Sequence, residues 1–489
     1  MTFNSLDFLI FYPIVLLLHF LTPLKYRWIP LLGASLLFYM WWSAPLFFLI
    51  LFTTMVSWIC SVIIEKTDNP KKKKLCLTLT LIASLGVLFF FKYYNFLAGS
   101  AMSIGALFGA EFDATLNLIL PVGISFYTFQ TLSYAIDVYR GDIKTEHHFG
   151  YYFLFVTFFP QLVAGPIERP DNLLPQLYKP YKWNWDDAVA GGKRMLAGFF
   201  KKIVVADLLA TYVNAVYNNP ESSTGLGIVV ASAMFAVQIY CDFSGYTDIA
   251  IGCARIMGIH LMQNFNRPYS AKTIKEFWAR WHISLSTWFR DYLYIPLGGN
   301  RCAPWRHRMN LMIVFLVSGL WHGAAWTFVL WGFLHGAFQI IGGLTLKKRQ
   351  ALCEKLHINR ESTGVHIYQQ ILTCVLVTFA WIFFRANSTG DLMILLGNLF
   401  THWNVPVSQV FADMGLNWTG ALTSILSVVS MVFLDRLITH EEQPKTDGTF
   451  VSDRAVYRGR AVVTLWIVAC AWLVLLAGDG ASSFIYFQF

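Results

Sequence analysis

The stretch Ser318–Phe338, "SGLWHGAAWTFVLWGFLHGAF", holds no Asp, Glu, Lys or Arg, yet it carries two histidines. It spans the end of one apolar run, 309–324, and most of the next, 326–345. Backbone embedded in lipid finds no water to bond, so a run of this kind is stable there only as a helix, and about 20 apolar residues cross the hydrocarbon core. The reading is a pair of membrane helices with imidazoles set into them. Ionisable groups at that depth are costly, which makes each of them a functional hypothesis.

The same character recurs on both sides. Apolar runs fall near 6–22, 28–44, 45–64, 76–96, 116–136, 203–217, 226–250, 367–384, 419–435 and 461–477, giving about 11–12 transmembrane helices with the pair above. Of the 489 residues 56% are hydrophobic and 13% charged, against roughly 25% charged in soluble domains, so much of the surface faces lipid. The net charge of +9 belongs to basic loops; no solvated domain exists on which it would gather for nucleic acid. Eight cysteines form no CxxC pair, which leaves no zinc or disulfide framework and implies no metal. The first run has no basic residue ahead of it and no cleavage site behind it, and is expected to be retained.

Lys and Arg collect on the cytoplasmic side. Lys25 and Arg27, the cluster at Lys66 and Lys71–Lys74, Arg140 with Lys144, the group from Lys179 to Lys202, the stretch 253–310 and Lys347–Arg360 are therefore expected inside. The loops near Ser43 and across 97–115 hold none and lie outside. This alternation puts the N-terminus and the tail 479–489 outside, and makes 150–168, with Pro160, Gly165 and Pro166, a re-entrant element lining a cavity. The chain reads as a single transmembrane domain, 1–489, with an extracytoplasmic aromatic tail.

For chemistry, His322 and His335 are each either a general base or a hydrogen-bonded packing residue. Glu276–Arg301, "EFWARWHISLSTWFRDYLYIPLGGNR", reads as an interfacial helix broken at Pro296, Gly298 and Gly299. It offers His282 beside Arg280 to a site beneath His322 if it lines the cavity. Asp242 and Asp248, in "YCDFSGYTDIAIG", need partners at membrane depth, for which Arg255 and Arg267 are the candidates. No nucleophile elbow, phosphate loop, HExxH or dinucleotide motif occurs, so protease, ATPase and dehydrogenase readings lack their parts. A transporter or channel remains the competing class.

"LPVGISFYTFQTLSYAIDVYRGD" (120–142), "FPQLVAGPIERP" (159–170), "DFSGYTDIAIG" (242–252), "NFNRPY" (264–269), the 276–301 stretch and "GLWHGAAWTFVLWGFLHG" (319–336) together resemble the membrane-bound O-acyltransferases (MBOAT). Within them the resemblance is to the bacterial branch that holds the membrane subunit of alginate O-acetylation. It implies an all-α polytopic fold around a central tunnel, in a bacterial cytoplasmic (inner) membrane. It implies His322 as the essential residue and His282 as the second polar member of the site; His335, Arg280, Trp321 and Asp242 are, from their own positions, further candidates to line it. The tail "FIYFQF" is similar to the aromatic tail of that branch, which makes Tyr486 an acyl relay candidate or else an interfacial anchor. The resemblance further implies acetyl-CoA, or an acyl carrier, as donor and an extracytoplasmic SGNH-type O-acetyltransferase as partner, for O-acetylation of peptidoglycan, alginate or a similar polysaccharide. D-alanyl transfer to teichoic acid is the alternative within the family.

Overall fold

The computed structural model describes residues 1–109, 113–441, 464–466, 468–469 and 471–473. In chain order its helices are α1 (Leu6–Leu21), α2 (Trp28–Met40), α3 (Phe47–Lys66), α4 (Pro70–Leu88), α5 (Tyr94–Leu107), α6 (Ile124–Arg140), α7 (Phe149–Thr157), α8 (Pro170–Tyr178), α9 (Trp185–Phe199) and α10 (Asp207–Tyr217). They continue as α11 (Gly225–Ile256), α12 (Ile274–Arg280), α13 (Ile283–Phe289), α14 (Pro304–His322), α15 (Trp326–Lys355), α16 (Thr363–Arg385), α17 (Thr389–Thr401), α18 (Val407–Asp413) and α19 (Trp418–Glu441). Among the described residues no β-strand forms, and one isolated antiparallel bridge joins Phe265 and Trp281.

Six helical stretches among the described residues are long and apolar enough to cross a membrane: α3, the continuous Pro70–Leu107, α11, α15, α16 and α19 to Arg436. The protein is a multi-pass, all-helical membrane protein. The larger number of runs seen in the sequence divides for physical reasons. Run 116–136 is helical only from Ile124, and every residue from there to Ala135 is buried in protein. Run 203–217 begins inside a π-helical turn, Phe200–Ala206, before the eleven residues of α10. Helix α14 opens with Arg306 and Arg308, which shortens its apolar length. Run 461–477 falls largely outside the described residues.

The chain divides into two compact units, Met1–Met195 with Ile249–Met262, and Leu196–Asp248 with Gln263–Phe489. In the first, α3, α4 and α6 pack on one another. Their contact faces carry small polar residues, with Thr53, Thr54, Ser57 and Ser61 on α3, Thr80 and Ser84 on α4, and Thr128 and Thr131 on α6, all buried. Such residues let membrane helices approach closely, and their hydroxyls bond within the bundle, as Thr54 Oγ1 does to the Ile50 carbonyl at 2.6 Å. Helix α7 ends at Thr157, and 158–168 continue as turns and irregular backbone in which every residue is buried. Protein thus covers this non-helical backbone on every side. Gly123, at φ +72°, makes room for it: a Cβ there would meet the Leu162 carbonyl oxygen at 2.7 Å.

In the second unit α14 and α15 form an antiparallel hairpin, with Met312 facing Gly336 and Phe315 facing Gly332, and α16 lies against α15. Short α12 packs on α15 and α16. It is started by Thr273, whose Oγ1 accepts from Glu276 N at 3.1 Å, while the Glu276 carboxylate accepts from Lys272 N at 2.8 Å. The expected interfacial helix over 276–301 is corrected here. Helix α12 stops at Arg280, α13 runs only to Phe289, and Trp278, Trp281, Trp288 and Phe289 are 8%, 1%, 7% and 3% exposed. These aromatic rings serve the protein core instead of the lipid surface, because the break at His282 turns both short helices inward.

Candidate active site

His322 ends α14, and the meeting of α14 with α15 decides its surroundings. A Cβ on Gly319 would lie 2.3 Å from the Phe328 carbonyl oxygen, one on Gly332 2.3 Å from that of Phe315, and one on Gly323 2.1 Å from the Phe328 ring. No side chain tolerates such distances, so glycine is what lets the two backbones touch. The hairpin so drawn together buries His322 to 4% exposure. Its ring packs against Trp321, Trp331 and Phe384, at centroid distances of 5.0, 5.1 and 5.4 Å.

His282 sits in the gap between α12 and α13 with φ +44° and ψ +55°, the left-handed region. A residue with a Cβ is held there against a cost of roughly 1–2 kcal/mol. What holds it is the segment 264–266, laid antiparallel to 280–283: Asn266 N donates to the Arg280 carbonyl at 2.9 Å and Ile283 N to the Asn264 carbonyl at 3.0 Å. The Asn264 side chain completes the clamp. Its Oδ1 accepts from Ser284 Oγ at 2.6 Å and from Ser284 N at 3.2 Å, and lies 3.2 Å from His282 Nδ1. An acceptor facing Nδ1 assigns the proton to that nitrogen, so a neutral His282 presents the lone pair of Nε2.

The two imidazoles meet. His282 and His322 have ring centroids 6.3 Å apart, with Trp321 5.8 Å and Phe243 4.7 Å from His282. His335 stands one indole further: the Trp331 ring is 5.1 Å from His322 and 4.9 Å from His335. His335 is fully buried, and its Nδ1 accepts from Trp278 Nε1 at 3.2 Å. That is a packing bond, and it fixes the ring.

The other candidates are held elsewhere. Arg280 Nη2 pairs with Glu276 at 2.7 Å, one turn back on its own helix, and its Nη1 reaches Ser270 Oγ at 3.2 Å. Asp242 bonds Lys202 at 2.8 Å, and Asp248 bonds Lys201 at 2.7 Å. This corrects the expected pairing with Arg255 or Arg267; Arg255 is paired with Asp187 at 3.1 Å. Lys201 and Lys202, grouped above with the basic loops, lie in the helical turn Phe200–Ala206 and are buried. The π-helical turn points both ammonium groups inward, 3% and 1% exposed, where Lys201 also pairs with Asp435 and Lys202 with Asp207. Tyr240 donates to Asp435. Tyr486 and the rest of the tail lie outside the described residues.

Beside the histidines, a cavity of about 460 Å³ opens between α12–α13 and α14. Ile283, adjacent to His282, and Ser318, one turn before His322, line its wall together with Trp278 and Phe315, and Lys275 and Arg290 also line it. The walls suit an apolar arm and the two basic residues an anionic group.

Sequence reasoning missed Asn264, although its motif was noticed, because nothing local marks it as the clamp of a residue eighteen positions later. It also missed the ion cluster and the central place of Trp331.

Residues 140–375 match the family described as MBOAT, membrane-bound O-acyltransferase family. The chain is 39% identical over 390 residues to the probable alginate O-acetylase AlgI of Azotobacter vinelandii, covering 79% of this chain and 76% of the relative. It is 35% identical to the protein of the same description in Pseudomonas putida over the full length of both. To the peptidoglycan O-acetyltransferase of Helicobacter pylori it is 36% identical, over 74% of this chain and 72% of the relative. The geometry of two apposed, protein-covered imidazoles thus comes with kinship along the whole chain, which belongs to the membrane-bound O-acyltransferase family as a multi-pass membrane acyltransferase.

Proposed function

We propose that the protein takes an acetyl group from a cytoplasmic thioester, acetyl-CoA, and passes it through the membrane for O-acetylation of an extracytoplasmic polysaccharide. The observation that carries this reading is the apposition of His282 and His322, ring centroids 6.3 Å apart within an aromatic wall and next to a cavity lined by Lys275 and Arg290. The names of the relatives, alginate O-acetylase and peptidoglycan O-acetyltransferase, support acetyl as the group and envelope polysaccharide as the destination. The membrane is the bacterial cytoplasmic one, with both chain ends outside and the cavity mouth inside.

In this mechanism His322 removes the proton of an acceptor hydroxyl as its oxygen forms a bond to the acetyl carbon. The carbon–sulfur bond breaks, and the proton leaves on the thiol. His282, with its proton held on Nδ1 by Asn264, offers a lone pair and so orients His322; it is not built as a donor to an oxyanion while neutral. The acceptor is Tyr486 or a serine of an SGNH-type partner enzyme, which completes transfer to sugar hydroxyls.

The test is transfer of label from radiolabelled acetyl-CoA to the purified protein and to a partner added with it. Wild type and Tyr486→Phe are compared with His322→Ala, His322→Ala being silent. Loss in Tyr486→Phe as well identifies the tyrosine as carrier, and retention there moves the acceptor to the partner. Equal labelling in wild type and His322→Ala overturns the proposed role of that residue.

A further inference from the structure

The first unit contains a cavity of about 670 Å³ that the acyl-transfer reading does not use. Its walls come from the end of α1, the turn into α2, α7, the end of α8 with the segment after it, and the turn that follows α11. Three cations line it, Lys25, Arg27 and Lys179, and no Asp or Glu does. None of the three forms an ion pair among the described residues: Arg27 donates only to the carbonyls of Thr22 and Tyr181, and Lys25 lies over the Tyr26 ring at 5.7 Å. Three positive charges lining one cavity with no carboxylate in its wall give it a positive potential.

A second observation lies deeper in the same cavity. His19, on the last turn of α1, is 4% exposed and lines the wall, and neither ring nitrogen has a hydrogen-bond partner. The Met257 backbone approaches it without a well-formed bond. Buried polar atoms are ordinarily satisfied, so a ring left in this state at a cavity wall is set to meet a polar group brought by a ligand.

The remaining walls mix aromatic rings with aliphatic side chains such as Leu31 and Leu154, and two glycines shape the aromatic part. Tyr151 and Tyr178 stack at 3.9 Å between centroids, and Trp28 meets His148 edge-on at 4.8 Å. Gly258, at φ +79°, lets Tyr181 lie flat on the backbone, since a Cβ there would touch its ring at 2.2 Å. Gly150 does the same for Trp28, where a Cβ would meet the indole at 2.4 Å. Trp and Tyr mixed with Lys and Arg is the composition of the headgroup level of a membrane, where an anionic leaflet attracts basic side chains.

We propose that this cavity is a binding site for a phosphate-bearing ligand, its phosphate received by Lys25, Arg27 and Lys179 and its remaining body by the aromatic walls and His19. Two sources carry that chemistry, an anionic phospholipid headgroup and a soluble nucleotide phosphate.

The experiment is native mass spectrometry on the full-length protein, released from micelles holding equal phosphatidylglycerol and phosphatidylcholine, with a parallel titration of adenosine monophosphate. The variants are Lys25→Gln with Lys179→Gln together, whose side chains make no hydrogen bond or ion pair among the described residues, and His19→Phe, which keeps an aromatic ring without its nitrogens. Retained phosphatidylglycerol that falls at least ~10-fold in the double variant assigns the lipid source, since each basic residue near an anionic surface contributes a several-fold factor. Adenosine monophosphate binding with the same loss assigns the soluble one. Binding of neither probe to wild type, or equal binding by wild type and both variants, overturns the proposal.

Discussion

The side-chain oxygen of Asn264 lies 3.2 Å from Nδ1 of His282 and at the same time receives both the hydroxyl and the backbone N–H of Ser284. One amide thus sets the tautomer of an imidazole and the start of the helix that follows it. Replacing Asn264 by Ala removes both controls and is expected to lower kcat by about 10²-fold with KM for the donor little changed, the scale of a mispositioned acid–base group. Asn264→Asp keeps an acceptor at the same place and is expected to retain more activity than Ala. Steady-state kinetics of labelled acetyl transfer check this; equal loss in both, with KM rising, would point to a merely structural role.

If His282 works through His322, their effects cannot add. His322→Ala alone is expected to cost about 10²–10⁴-fold in rate, and the double variant with His282→Ala should be no slower than that single one. A double-mutant cycle on the initial rate decides it, and multiplicative losses would mean that the two act independently.

The glycine contact between α14 and α15 has a stability consequence. Gly319→Ala and Gly332→Ala each place a methyl about 2.3 Å from a backbone carbonyl oxygen that cannot swing aside. Each is expected to cost 1–3 kcal/mol, as overpacked cores do. Thermal unfolding in detergent measures this, with Gly342→Ala, where a Cβ meets nothing within 4 Å, as the neutral control.

Lys202 is 1% exposed and lies between Asp207 at 2.9 Å and Asp242 at 2.8 Å. Lys202→Met leaves buried carboxylates without this cation and is expected to cost 3–5 kcal/mol. Adding Asp242→Leu should recover part of the loss, because a buried pair replaced by apolar groups is tolerated better than a pair cut in half. Expression level and unfolding temperature of the three variants are the readout, and a double variant worse than the single one would show that Asp242 is needed for something other than this pair.

The helical membrane class is legible because lipid imposes a length and a composition that every spanning segment must obey, and the two histidine motifs stand out because polar groups are scarce there. Depth is less legible. Lys201 and Lys202 look like loop charges in a basic run, and only the convergence of Asp207, Asp242, Asp248 and Asp435 from three helices shows them to be interior. The role of Asn264 is hidden for a related reason: a turn lays 264–266 beside 280–283, and no periodicity in either segment encodes that pairing. The break at His282 escapes notice because the flanking residues have ordinary helical preferences, and the interruption is imposed by tertiary bonds.

The left-handed backbone at His282 places any effort to harden this protein in conflict with the chemistry proposed for that residue. Glycine is the residue that φ +44° favours, and a substitution scheme guided by backbone comfort alone would select it there, gaining up to the 1–2 kcal/mol now held as strain. The same exchange deletes the imidazole that faces His322. With His282 in the role proposed above, a directed-evolution campaign scored on thermal resistance would therefore drift toward a sturdier and slower protein at this one position.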